Sequence, residues 1–327
     1  MKDRYGREID YMRISITDRC DLRCRYCMPY GCEKVPMDGV LTYQEIERIA
    51  RLSSDLGINK LKITGGEPFV RLGCVDLIRN LKMMPKIQKV TVTTNGQTLE
   101  KYIDDLRSIG VDGINISLDT MDEERFSFIT GGGMLEKTLR GIDASMNSGI
   151  KTKINCVLQK GFNEDEILSF AEKAFETGTD VRFIEMMPIG MGRTRNGVSN
   201  KYVLQTLKEH WPGLEYDSTV RGNGPAVYYH LGGKKGSIGF ISAIHDKFCD
   251  GCNRIRLTSQ GQIRQCLCYD DSFDLIPYLR SYDADDGLLR EKIRESILMK
   301  PKAHCFNNKH VREDRRTGER LMSQIGG

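Results

Sequence analysis

Cys20-Asp21-Leu22-Arg23-Cys24-Arg25-Tyr26-Cys27 places three thiols within eight residues, spaced C-x3-C-x2-C, directly after a strand-like run over 11–17. Three thiolates hold three corners of an iron–sulfur cube and leave the fourth iron open to another ligand. A structural zinc site asks for four protein ligands and haem attachment for C-x2-C-H, so neither suits this stretch. The motif sits in the loop after a strand, and the same placement recurs along the chain.

Strand candidates at 12–17, 60–64, 89–93, 113–118, 151–157 and 181–186 are short and rich in Ile and Val. Helix candidates at 41–57, 75–84, 99–109, 135–148 and 164–177 lie between them, the first ending near Gly57 as a C-cap. These βα repeats predict an α/β fold, a partial (β/α)6 TIM-type barrel rather than an open doubly wound sheet. The reason is that polar or glycine-rich motifs follow nearly every strand, as on the active face of a barrel. They are Gly65-Gly66-Glu67-Pro68, Thr94-Asn95-Gly96 and Ser117-Leu118-Asp119. Two glycines let backbone approach a ligand closely, and Glu67 is a candidate acceptor for an ammonium group. Lys153 and Arg182 are charges inside apolar runs; pattern alone leaves open whether they reach the rim or face a polar lumen.

The glycine-rich stretch 190–200 reads as a linker, dividing a barrel (1–190) from a smaller mixed C-terminal region (191–327) that closes the open side. The latter shows a helix at 202–211, strands at 227–231, 237–241 and 254–257, and helices at 274–280 and 288–299. It also holds Cys249, Cys252, Cys266 and Cys268. Four thiols in the order C-x2-C-x13-C-x-C suit zinc. Three of them suit a second open cluster, with Arg254 and Arg256 on one strand face beside it. Spacing alone leans to zinc. Cys32, Cys74, Cys156 and Cys305 stand alone and read as ordinary core or surface residues. The tail ends on Gly326-Gly327, which by itself reads as a frayed terminus.

A chain of 327 residues with 39% hydrophobic and 29% charged residues describes a globular protein of one large or two ordinary domains. No apolar run reaches membrane-spanning length, and the first residues carry no signal-peptide core. Eleven cysteines, odd in number and clustered, argue against a secreted disulfide framework and for a reducing cytoplasm. A net charge of +4 permits an anionic ligand without showing one.

The first cysteine motif, the GGEP loop and the C-terminal C-x2-C-N-R-x-R-L together resemble the radical S-adenosylmethionine superfamily. More closely, the chain resembles the GTP 3′,8-cyclase family, which opens molybdenum cofactor biosynthesis. That resemblance runs from about residue 11 to the Gly-Gly end. It implies that Cys20, Cys24 and Cys27 hold a [4Fe–4S] cluster whose open iron takes S-adenosylmethionine. Tyr26, Gly66, Ser117 and Met187 would contact that cofactor. Cys249, Cys252 and Cys266 would carry a second [4Fe–4S] cluster facing guanine. Arg13, Lys62, Thr93, Lys153, Arg254 and Arg256 would bind GTP, with Arg13, Gly326 and Gly327 as catalytic residues. It turns Lys153 and Arg182 toward the lumen and threads the Gly-Gly tail into the site. The implied reaction moves a hydrogen from C3′ of GTP to a 5′-deoxyadenosyl radical and joins C3′ to C8, giving 3′,8-cyclo-7,8-dihydro-GTP.

Two positions depart from the family pattern. Lys62 stands where many relatives carry arginine, and Cys268 lies outside the family's ligands. The implied partners are a reductant for the clusters, cyclic pyranopterin monophosphate synthase downstream and a second copy of the chain. Neither nucleic acid nor membrane is among them. Two rival readings are a peptide-modifying radical enzyme and a zinc-stapled nucleic-acid-binding protein. The second has thin support, because pI is about 8.4 and no dense basic stripe is present.

Overall fold

The computed structural model describes residues 1–32, 35–219, 221–306 and Met322. Six strands alternate with helices: β1 (Tyr11–Ser15), α1 (Tyr43–Asp55), β2 (Lys60–Thr64), α2 (Cys74–Met83), β3 (Lys89–Thr94), α3 (Ile103–Ile109), β4 (Gly113–Ser117), α4 (Glu123–Thr130), α5 (Leu135–Asn147), β5 (Thr152–Leu158), α6 (Ile167–Thr177) and β6 (Asp180–Glu185). Then come α7 (Asn200–His210), β7 (Leu214–Asp217), β8 (Val227–Leu231), β9 (Ser237–Ile241), β10 (Arg254–Leu257), β11 (Gln262–Arg264), β12 (Phe273–Asp274), α8 (Ile276–Leu279) and α9 (Asp286–Leu298).

All the strands form one sheet in the order β12-β11-β10-β1-β2-β3-β4-β5-β6-β9-β8-β7. Neighbours from β1 to β6 are parallel, and β10 and β9 join the two ends of this run, also parallel. The barrel is therefore partial, with β12 and β7 as its edges. The C-terminal region adds strands to both edges of the barrel's own sheet. On the outside, α9 packs along α1, where Asp286 takes Arg48 at 2.7 Å and Arg51 at 2.6 Å.

Strand alternation decides what faces where. Met12, Ile14, Leu61, Ile63, Val90, Val92, Ile114, Ile116, Ile154, Val181 and Phe183 are buried in the hydrophobic core. The intervening positions carry Arg13, Lys62, Thr93, Asn115, Lys153, Asn155 and Arg182. Parallel strands covered on both faces usually read as continuous apolar runs. Polar residues at every second position mark the other face as a polar lumen.

Local signals hold where side chains set them. Thr42 and Glu45 form a capping box at the start of α1. Helix α4 was not foreseen: it is short, with Phe126 and Ile129 as its buried apolar residues. Asp122, whose side chain accepts from Arg125 N, was the available signal. The stretch 190–200 is packed rather than a loose linker. Gln159 and Gly197 form a β-bridge, Lys160 N donates to Asn196 O at 2.9 Å, and Val198 is buried.

Candidate functional site

The first thiol loop is held from two sides. Thr17 and Arg19 carbonyls accept from Gly66 N (2.7 Å) and Glu67 N (2.9 Å), tying the loop to the turn after β2. A Cβ on Gly66 would lie 2.3 Å from Arg19 O, so glycine is required there by the loop's own backbone. On the other side, Arg23 N donates to Thr130 O (2.8 Å) and Arg25 N to Ile129 O (2.9 Å), using carbonyls that the end of α4 leaves unpaired. Arg25 also lies 3.7 Å over the Phe128 ring.

Glu67, the candidate ammonium acceptor, is buried and already engaged within the chain. Its carboxylate accepts from Thr94 Oγ1 (2.8 Å), Asn95 N (2.7 Å) and Phe69 N (3.2 Å), linking the turns after β2 and β3. Burial pushes its pKa up to about 8 despite these donors. Tyr26 donates from its hydroxyl to Asp119 Oδ2 at 2.6 Å, while Asp119 Oδ1 takes Val157 N. This anchors the thiol loop to the ends of β4 and β5. Burial raises Asp119 to about 6 and Tyr26 well above its usual range.

The second thiol group lies on the loop before β10 and just after β11. Arg7, paired with buried Asp3 at 2.6 Å, donates to the carbonyls of Cys249, Pro301 and Lys302. The ammonium of Lys300 donates to Arg254 O (2.8 Å) and Gln265 O (2.7 Å), and His304 N lies 3.4 Å from Cys249 Sγ. Cys268 points elsewhere. It forms a disulfide with Cys305, both residues being buried, so Cys305 is not the isolated cysteine its sequence position suggested.

Both thiol groups open into one cavity of about 340 Å³. Cys20, Cys24 and Cys27 line it, as do Cys249, Cys252 and Cys266, together with Arg13, Tyr26, Gly66, Thr93, Ser117, Met187, Arg254 and Arg256. Met322 lines it too; Gly326 and Gly327 lie outside the described residues. Lys62 and Lys153 are not part of this lining. Lys62 is the register partner of Arg13, and Lys153 is paired with Asp180 at 2.7 Å. Asp119, from the motif after β4, lines the cavity; Asn155, Lys300 and His304 also line it and were not read as site residues. For Asn155 a signal existed, two residues after Lys153 on the same strand face.

The lumen is strongly cationic. Arg13 and Arg256 are register partners on β1 and β10. Burial, then Arg254 and Arg182 nearby, lowers Arg13 to about 10, and its Nε is buried with no hydrogen-bond partner among the described residues. Lys62 is pushed well down by burial and by Arg182, Arg13, Lys153 and Arg254. Arg182 is held by Asn155 and Asn115. Such a crowd of buried cations costs free energy that a bound anion would offset.

The thiols fit a metal cluster. Burial pushes Cys20 up to about 12 and Cys24 well up, so these donors need a positive centre to become thiolates. Burial would raise Cys252 as well, but Arg254 and Lys300 pull it down to about 6. Among the described residues no three His, Cys, Asp or Glu side chains converge on a single metal ion. No helix of the described residues is long and apolar enough to cross a membrane.

Comparison with known proteins agrees with this geometry. Residues 14–174 match the radical SAM superfamily, and residues 179–306 match Molybdenum Cofactor Synthesis C. The GTP 3′,8-cyclase of Clostridium perfringens (strain SM101 / Type A) is 44% identical over 328 residues, covering 100% of both chains. That of Alkaliphilus metalliredigens (strain QYMF) is 42% identical over 333 residues, again covering 100% of both. Streptococcus suis SuiB bound to S-adenosylmethionine shares the fold at TM-score 0.63 and 18% identity, over 91% of this chain and 73% of that one. Native anSMEcpe with bound AdoMet does so at TM-score 0.56 and 15% identity, over 90% and 82%. The full-length identity to cyclases decides against the peptide-modifying and zinc-stapled readings. The chain belongs to the GTP 3′,8-cyclase family of the radical S-adenosylmethionine superfamily.

Proposed function

We propose that this chain converts GTP to 3′,8-cyclo-7,8-dihydro-GTP, the first step of molybdenum cofactor biosynthesis, in the lumen between its two thiol groups. The observation that carries this reading is the single cavity shared by both thiol groups and the arginines of β1 and β10. Cys20, Cys24 and Cys27 would hold one [4Fe–4S] cluster; Cys249, Cys252 and Cys266 would hold the other. With S-adenosylmethionine bound, the first cluster supplies the electron that generates the 5′-deoxyadenosyl radical.

The chain's own part is binding and enclosure. Gly66, Ser117, Met187 and the Tyr26 backbone would orient S-adenosylmethionine. Arg13, Lys62, Thr93, Lys153, Arg254 and Arg256 would hold GTP, since guanidinium forks match phosphate oxygens and a triphosphate offsets the lumen's charge. Met322 on the cavity wall supports a route by which Gly326 and Gly327 enter beside the substrate, with Arg13. A division at residue 190, a cytoplasmic setting, a low-potential reductant, delivery of the product to cyclic pyranopterin monophosphate synthase and a homodimer belong to the same proposal. Reconstituted protein under anaerobic conditions, given reductant, S-adenosylmethionine and GTP, should release 5′-deoxyadenosine and a cyclised nucleotide. Cofactor cleavage with no GTP consumed would sink the reading.

A further inference from the structure

Lys153 has a partner that the proposed GTP site does not use. It faces Asp180 in the register of β5 and β6, and its ammonium lies 2.7 Å from Asp180 Oδ2. A second N–H donates to the Tyr228 hydroxyl at 2.8 Å, and the ammonium sits 4.5 Å over that ring. Lys153, Asp180 and Tyr228 are all about 5% exposed or less. An ammonium has three donors. The third has no hydrogen-bond acceptor among the described residues.

The surroundings work against the charge on Lys153. Lys62 on β2, Lys151 just before β5, Arg182 on β6 and Arg221 in the loop after β7 face it, with Tyr228 on β8 as a neutral neighbour. Asp180 is the carboxylate that opposes them, its Oδ1 lying 3.1 Å from Arg221, which Asp217 also holds at 2.6 Å. Burial alone lowers a buried lysine by several units. With Asp180 in place, Lys153 settles at about 8, chiefly through burial.

We propose that Asp180 is a positioning residue for the substrate's triphosphate, holding the Lys153 ammonium protonated and in fixed orientation until the anion arrives. This rests on Lys153 as a GTP contact. The carboxylate holds one of the three N–H bonds and the Tyr228 hydroxyl a second, which leaves one for a phosphate oxygen. Removing it leaves burial and four cations to strip the proton, and the triphosphate then meets a neutral amine.

The test is equilibrium GTP binding by the full chain with both clusters reconstituted, without reductant, across roughly pH 6 to 9. Wild-type affinity should hold at neutral pH and fall as pH rises through about 8. Asp180→Asn should bind about tenfold more weakly at neutral pH and recover at lower pH, its profile displaced downward by about two units. Asp180→Glu should restore the wild-type profile. A wild-type profile in Asp180→Asn, at unchanged, tighter or uniformly weaker affinity, overturns the inference, because a merely structural clamp would not move it. Lys153→Met separates the two readings. If it binds GTP as wild type does, Lys153 is no contact and both fall. If it binds weakly while Asp180→Asn keeps the wild-type profile, the inference about Asp180 falls alone. Should Asp180→Asn not fold, Tyr228→Phe carries the test. It keeps the carboxylate and must leave the pH profile in place, and a displaced profile overturns the proposal.

Discussion

At the scale of single residues, the proposed roles divide the cavity lining into cluster ligands and substrate contacts, and each can be tested alone. Cys249→Ser should lower iron from about eight to about four per anaerobically reconstituted chain, with matching sulfide loss. It should still cleave S-adenosylmethionine but form no cyclised nucleotide. Full iron content in that variant would remove Cys249 from the ligands. Arg13 has a buried Nε with no partner among the described residues, which supports its proposed contact with the substrate. A hydrogen bond to a charged group contributes about 1.5–3 kcal/mol, so Arg13→Met should weaken GTP binding by about ten- to a hundredfold. Calorimetry on the loaded protein reads this directly, and unchanged affinity would take Arg13 out of the site.

At the scale of elements, the site depends on junctions between loops more than on any one strand. Gly66→Ala should break the junction between the turn after β2 and the thiol loop, because its methyl meets Arg19 O at 2.3 Å. The expected result is loss of the first cluster's absorbance with the second cluster retained; full iron in both would show that the loop yields. At the other thiol group, Arg7 joins the N-terminal turn to Cys249, Pro301 and Lys302. Arg7→Ala leaves Asp3 buried without its partner and should cost about 3–5 kcal/mol in urea unfolding. The Asp3–Arg7 pair also has a pH signature. Burial opposes the Asp3 charge, but Arg7 and the backbone amides of Tyr5 and Arg7 win and hold its pKa below the ordinary value. The pair's stability is therefore present above the usual carboxylate range and lost as pH falls through the lowered value. Arg7→Ala should flatten that acid-side loss.

At the scale of the whole molecule, C-terminal strands on both edges of the sheet bring two distant cysteine groups to one lumen. The tail is the last part of this assembly. Deleting Gly326 and Gly327 should abolish cyclisation while leaving iron content and GTP binding near wild type, since neither residue is a proposed ligand. Wild-type turnover from the truncated chain would remove the tail from the reaction.

The six βα repeats and the first thiol motif could be read from the chain because both depend on residues near one another in sequence. β2, β8, β9 and β10 have the bounds that Ile, Val and turn residues predict. Arg254 and Arg256 stood out by alternation within one strand. By contrast, β11, β12 and β7 were not legible: each is four residues or fewer and acquires its identity from an antiparallel neighbour. At the second thiol group spacing leaned to zinc, with Cys268 counted as a fourth ligand. Pairing with Cys305, 37 residues away, takes Cys268 out of that group. The same holds for Glu67, whose three donors come from two different turns, and for Lys153 with its partner on the next strand. Periodicity and motif spacing are local properties of the chain and determine its repeats and its chemistry. Which charges meet, which thiols pair and which carboxylates are already engaged depends on contacts between distant segments, and only the folded sheet decides those.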